Sequence, residues 1–118
     1  MSLTPGSPLN AHRDVLADPA MNIFYNAGTL VIICAKPQGL DPAEDCALAA
    51  QNLMLAAHAA GLATCPIGLA RAWLNVPEVK QELGIPPDYT PVFPLIVGFP
   101  AATPPAVARR DPEIVQWI

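Results

Sequence analysis

Apolar residues along this chain fall into three blocks of different character, separated by proline and glycine. The first, Thr29 to Ala35 (TLVIICA), is an unbroken apolar run rich in branched side chains, bounded by Gly28 and Lys36-Pro37. It predicts a strand buried on both faces, in the middle of a sheet flanked by helices. The second block runs from Ala43 to about Ala60, and only Asp45, Gln51, Asn52 and His58 interrupt its apolar surface from Asp45 onward. It predicts a helix of ~28 Å, covered by protein on nearly every side. Leu48, Leu55 and Leu62 recur every seven residues with alanines between them, a surface that lets two helix axes approach closely and suits a subunit interface. Asp41-Pro42-Ala43-Glu44 reads as the helix start, with an aspartate cap, proline at the first position and a glutamate placed to complete a capping box. Gly61 stops the helix as a left-handed cap. The third block, Val92 to Gly98 (VFPLIVG), predicts the last strand. Pro94 cannot donate to a ladder, which puts this strand at an edge or breaks it there.

Shorter elements lie between. Thr64 to Ile67 predicts a short strand, Leu69 to Leu74 one or two helical turns, and Pro77 to Leu83 a short helix ended by Gly84 and blocked by Pro86-Pro87. Residues 1–20, with Pro5, Pro8 and Pro19, read as a loose lead-in to a domain over 21–118. Pro100 to Pro112 is proline-rich and extended. Val115, Trp117 and Ile118 in the final stretch are out of place in a solvated tail and are expected to dock on protein, another subunit being one such place.

Composition sharpens this picture. A chain of 118 residues makes one small domain, and a domain of that size buries only about two-thirds of its unfolded surface. Hydrophobic residues are 53% and charged residues 14%, against a usual charged share of about 25%. Apolar surface is therefore left over for a partner subunit, for a missing part of the same polypeptide, or for both. The net charge is −4 and the one basic pair is Arg109-Arg110, which excludes nucleic acid as a partner. Cys34, Cys46 and Cys65 share no metal-ligand spacing and are expected to be buried, reduced thiols of a cytoplasmic protein. No signal peptide is visible. Ala43 to Ala63 is about long enough to cross a membrane, but its mid-helix Gln51, Asn52 and His58 and its alanine content argue for a soluble helix.

The order of these segments resembles the C-terminal half of the flavin-dependent nitroreductase family. The matching stretches are FYNAGTLVIICA, DCALAAQNLMLAAHAAGLATCPIG, NVPEVKQELGIP, PLIVGFP and RRDPEIVQW, spanning Phe24 to Trp117. The resemblance implies a three-layer α+β fold of sheet and helices with a long central interface helix, incomplete because the family's N-terminal half is not among these residues. That half carries a paired-arginine and serine phosphate motif and a Pro-Ser-x-x-Asn flavin loop. Implied function is that of an obligate homodimer with FMN at its interface. Hydride passes from NADH or NADPH to the flavin and then to a nitroaromatic, quinone or similar acceptor. Carried onto this chain, Pro66, Ile67, Gly68 and Leu69 lie against the flavin ring, with the Gly68 N–H toward its reactive nitrogen. The family often has an acidic residue where Gly68 stands; glycine keeps the N–H. Arg110, by its spacing to Pro112, contacts the flavin phosphate.

Each of these residues also has a plainer role. A tight strand-to-helix turn asks for small residues such as Gly68 whether or not a ring approaches, and Arg109 and Arg110 also fit a solvated tail. His58 is expected to hydrogen-bond within a core or interface rather than to move protons. Nothing near Cys65 in sequence activates its thiol. Asp41 and Glu44 are caps. No side chain stands out as a catalytic acid or nucleophile, as suits an enzyme whose cofactor carries the chemistry. Two alternatives stay open: a non-catalytic dimerising remnant that has lost FMN, and a branch that consumes reduced flavin or dehalogenates on the same fold.

Overall fold

The computed structural model describes residues 20, 22–38 and 40–118, so the lead-in lies almost wholly outside the described residues. The elements run β1 (Thr29–Ala35), α1 (Pro42–Ala59), β2 (Ala63–Pro66), α2 (Ala70–Leu74), α3 (Pro77–Glu82) and β3 (Thr90–Gly98). The strands form one sheet of order β1-β3-β2, with both pairs antiparallel.

This order reverses the expectation for two strands. β3 is central despite Pro94, and β1 is an edge strand, half-buried over Val31 to Cys34 and buried only at Ala35. Pro94 is tolerated because of which side its ring nitrogen faces. Its carbonyl accepts the Ile67 N–H at 2.9 Å, so carbonyl and nitrogen both point toward β2, just past the Pro66–Leu95 pair that ends it. The Ile32–Pro94 pair with β1 needs no bond from that residue, and the β1 ladder loses nothing. Two residues before Pro94, β3 carries a bulge. Val92 is extra between the pairs Ile33–Phe93 and Cys34–Pro91.

Each face of the sheet carries a helical layer. On one side Cys46 of α1 packs with Ala35, Val92 and Ile33. On the other, Ile67, Ala70 and Leu74 pack with Phe24, Ile32, Val79 and Ile96. Helix, sheet and helices make the three-layer α+β arrangement implied by the resemblance.

Within one chain α1 is not covered all round. It buries Cys46 and Ala50, while Leu48 and Leu55 remain 68% and 59% exposed on the outer side. Small residues on the inner face bring the helix close to the sheet, and the larger apolar ones look away from it. The tail, residues 99–118, is exposed throughout, with Trp117 at 83%. It does not dock on its own chain. The outer face of α1 and the tail therefore leave large apolar side chains in water within one chain.

The helix ends show which local signals act. Pro42 occupies the first helical position, but the Asp41 carboxylate makes no capping bond and the capping box with Glu44 does not form. With ψ at 73°, Asp41 is not in the extended conformation that swings a capping side chain over the first-turn N–H groups. Its carbonyl accepts the Asp45 N–H at 3.1 Å instead. The C-terminal signals act in full. Gly61 has φ +78°, its N–H bonds the His58 carbonyl at 3.0 Å and the Leu62 N–H bonds the Ala57 carbonyl at 2.9 Å. Gly84, with φ +69°, repeats the pattern through Gln81 at 3.2 Å and Ile85 to Lys80 at 2.8 Å. Both are complete Schellman caps.

The thiols divide by depth rather than sharing one environment. Cys46 is buried, Cys34 half-buried and Cys65 exposed, the last a departure from the expected burial. Burial pushes the Cys46 thiol up from its ordinary value, aided by the Asp45 carboxylate and partly offset by Arg71. Cys34 is raised chiefly by burial as well, then by Cys46, with Lys80 opposing.

Two outcomes follow from this anatomy. A Cβ at Gly61 or Gly84 meets nothing within 4 Å, so only the left-handed backbone opposes it. Gly61→Ala and Gly84→Ala should each lower the urea-unfolding free energy by about 1–2 kcal/mol, with Asn partly restoring it. In the native protein at neutral pH, a disulfide reagent should modify Cys65 roughly tenfold or more faster than Cys34 and Cys46, which hold their protons and are shielded. Mass mapping of the labelled peptides reads this directly.

Candidate functional site

The turn that follows β2 is built by the missing donor of Pro94. With no N–H from Pro94 to receive, the Ile67 carbonyl accepts the Ala70 N–H at 3.0 Å, and the Gly68 carbonyl accepts the Arg71 N–H at 3.2 Å. The ladder ends and α2 begins within three residues. Ile67 anchors the turn from below, buried with Ala70 and Leu74, while Pro66 and Gly68 are exposed and Leu69 half-buried. The Asn75 side chain fixes the far end. Its Nδ2 donates to the Arg71 carbonyl and to the Pro91 carbonyl, both at 2.8 Å, tying α2 to β3.

Gly68 differs from the other turn glycines. It has no left-handed φ, and an added Cβ meets nothing within 4 Å. Neither backbone conformation nor packing inside the chain requires glycine there, so the plain demand of a tight turn does not explain it. Its N–H donates to no acceptor among the described residues. An exposed, rigidly held and unpaired backbone donor is what the turn offers. The structure thus brings Pro66, Ile67, Gly68 and Leu69 together on one short segment. It does not bring Arg110 to them: Arg109 and Arg110 both lie on the exposed tail, outside any helix or strand.

Two clefts open elsewhere, and neither includes this turn. One of about 550 Å³ is lined by Met54, His58, Leu62, Thr64, Pro100 and Thr103 among others, within the size range of small-ligand sites. His58 stands there exposed and makes no hydrogen bond to another side chain among the described residues, so the expected bond within a core is not made in this chain. The other, about 250 Å³, lies between the end of β1 and the start of α1, beside Lys36, Asp45 and Cys46. No group of three or more potential metal ligands occurs among the described residues. No described helix is long and apolar enough to cross a membrane.

Arg71 is the residue that the sequence reading passed over. It is exposed, one turn beyond Gly68, and its guanidinium makes no hydrogen bond or ion pair among the described residues. Its sequence signal was an isolated arginine in an apolar stretch directly after the flavin-like turn.

Comparison with known proteins agrees with the fold. Residues 7–99 match the Nitroreductase family, a span that includes Pro66–Leu69 and stops short of Arg110. An FMN reductase (NADPH) of Bacillus subtilis is 46% identical over 57 residues, 48% of this chain and 22% of that protein. The crystal structure of a Bacteroides fragilis nitroreductase with bound FMN superposes with a TM-score of 0.72 at 27% identity, covering 94% of this chain and 63% of that one. The NfrA1 nitroreductase of Bacillus subtilis gives a TM-score of 0.56 at 28% identity, covering 87% of this chain and 50% of that one. The chain spans 37% and 22% of the lengths of two curated relatives that it matches. Family profile and superposed fold agree, and this chain belongs to the nitroreductase family.

Proposed function

We propose that this chain forms part of an FMN-dependent oxidoreductase that takes hydride from NAD(P)H and passes reducing equivalents to a nitroaromatic, quinone or similar acceptor. The working unit is a homodimer in the cytoplasm. The observation that carries this reading is the unpaired N–H of the exposed Gly68, on a turn whose own chain gives no reason for glycine. The 46% identity to an NADPH-dependent FMN reductase and the FMN held by the superposed Bacteroides protein support FMN as the cofactor.

The residues present fit a flat ring approached from the backbone side. FMN, when bound, supplies two-electron redox chemistry; the chain supplies position and charge. Pro66 and Leu69 would flank the ring, and the Gly68 N–H would donate to its reactive nitrogen. That donor is held by the Ile67–Ala70 and Gly68–Arg71 bonds and the anchored Ile67 side chain. It can meet developing negative charge without reorganising. Arg110 would hold the phosphate through its guanidinium fork.

The dimer reading rests on α1. Leu48 and Leu55 face outward on an alanine-rich helix, and a second copy of the same face would cover them. Stable obligate interfaces usually bury more than about 2,000 Å² in total. A second reading is a dimerising remnant without flavin, and the experiments below separate the two.

Leu48→Glu and Leu55→Glu should shift the protein from dimer to monomer in sedimentation velocity, with the monomer retaining its circular dichroism because both side chains are already exposed within the chain. A wild-type protein that sediments as a monomer at micromolar concentration would sink the dimer.

For the flavin site, Gly68→Pro should slow flavin reduction by roughly a hundredfold, the scale of losing one fixed donor to a developing charge. Gly68→Ala retains the N–H, meets nothing of its own chain within 4 Å and should leave stability near wild type, so that any loss of FMN affinity comes from its Cβ against the ring. Arg110→Ala should weaken FMN binding about tenfold or more, as expected for one charge-assisted contact. Protein that is colourless after incubation with excess FMN and removal of the free flavin would favour the remnant.

A further inference from the structure

Five of the chain's six cations can be set aside or accounted for. Arg13 lies outside the described residues, and Arg109 and Arg110 stand on the exposed tail. Lys36 and Lys80 are engaged within the fold, Lys36 with Nζ 5.8 Å from the Tyr89 ring centroid and Lys80 with Nζ donating to the Pro87 carbonyl at 2.6 Å. Between β1 and the end of β3 only Arg71 keeps a charged head with no hydrogen bond, ion pair or ring among the described residues. Its backbone is held at both ends. The N–H donates to the Gly68 carbonyl at 3.2 Å, and the carbonyl accepts from Asn75, which also grips Pro91 of the central strand. A fixed backbone therefore presents, one turn from the Gly68 donor, a guanidinium that makes no hydrogen bond or ion pair among the described residues and acts only at a distance on the Cys46 thiol.

We propose that Arg71 receives a phosphate group of the nicotinamide dinucleotide that brings hydride to this site. The inference rests on the reading of Pro66–Leu69 as the flavin-facing turn. Charge makes the dinucleotide the best candidate. Every donor of this class carries a pyrophosphate, and the phosphorylated form a further phosphate, whereas nitroaromatics and quinones need carry no anion. The chain is acidic overall, at −4, and repels a polyanion at long range. A local cation beside the turn offsets that field where the donor must arrive. The guanidinium fork also matches two phosphate oxygens at once. Arg71 acts on donor binding, as a specificity-determining residue, and takes no part in the transfer itself.

Two measurements test this on the FMN-loaded protein and its Arg71→Ala and Arg71→Lys variants. The first is KM and kcat for NADH and NADPH with an uncharged quinone as acceptor. Arg71→Ala should raise KM about tenfold or more with kcat changed less than about twofold, and Arg71→Lys should recover part of the loss. A rise confined to NADPH assigns the contact to the extra phosphate, and an equal rise for both donors assigns it to the pyrophosphate. The second is the NMR resonance of the Arg71 Nε–H during titration with inorganic pyrophosphate, which requires neither flavin nor turnover and should shift saturably. An unchanged KM for both donors, an effect on kcat without one on KM, or an unmoved Nε–H resonance would overturn the proposal. Wild-type protein that binds no flavin and oxidises neither donor would overturn the flavin-site reading instead, and the pyrophosphate titration would then decide the role of Arg71 alone.

Discussion

Pro94 takes one N–H out of the central strand, and the shape of the candidate site depends on that loss. The Ile67 carbonyl would otherwise receive a ladder bond from β3, and β2 would continue. Released, it accepts from Ala70, the chain folds into α2, and Gly68 is left exposed with its N–H unpaired among the described residues. One proline thus ends a strand, starts a helix and exposes a donor. Because ring nitrogen and carbonyl point to the same side of the strand, the effect falls wholly on β2 and leaves the β1 ladder whole.

The second constraint is a shortage of interior. The two core clusters lie on opposite faces of a three-stranded sheet, and neither reaches the outer face of α1 or the tail. No charged or polar residue is buried among the described ones, so the interior carries no desolvated ion. What it lacks is apolar area. Leu48, Leu55, Phe99 and Trp117 remain largely in water, at a cost of order 25 cal/mol for each Å² that a partner surface could cover.

Much of the fold was legible because its punctuation is chemical. Gly61 and Gly84 ended their helices as the sequence indicated, since only glycine takes left-handed φ without strain. The apolar blocks located β1, α1 and β3 to within a residue or two. The strand order was not legible, because the rule that proline belongs at an edge counts missing donors without asking which neighbour they face. The Asp41–Glu44 box failed for a related reason: residue types fit the motif, but the ψ of Asp41 does not aim the carboxylate. At the site, Pro66 to Leu69 could be read as one segment because they are contiguous. The relation of Arg110 to them could not, since a tail without local structure fixes no distance. Arg71 escaped notice because its distinguishing property is the absence of a partner, and absence is visible only after folding.

The bulge at Val92 has a mechanical meaning. An antiparallel strand normally transmits any change of length: add a residue at one end and every side chain beyond it exchanges faces. Val92 already absorbs one such mismatch and seats the surplus side chain against Ala35 and Cys46. The segment between α3 and β3 is therefore uncoupled in phase from the stretch of β3 that holds Pro94. Insertions near Pro86 to Tyr89 can be taken up before they reach Phe93, so that loop is free to vary in length while the orientation of the Gly68 turn stays fixed.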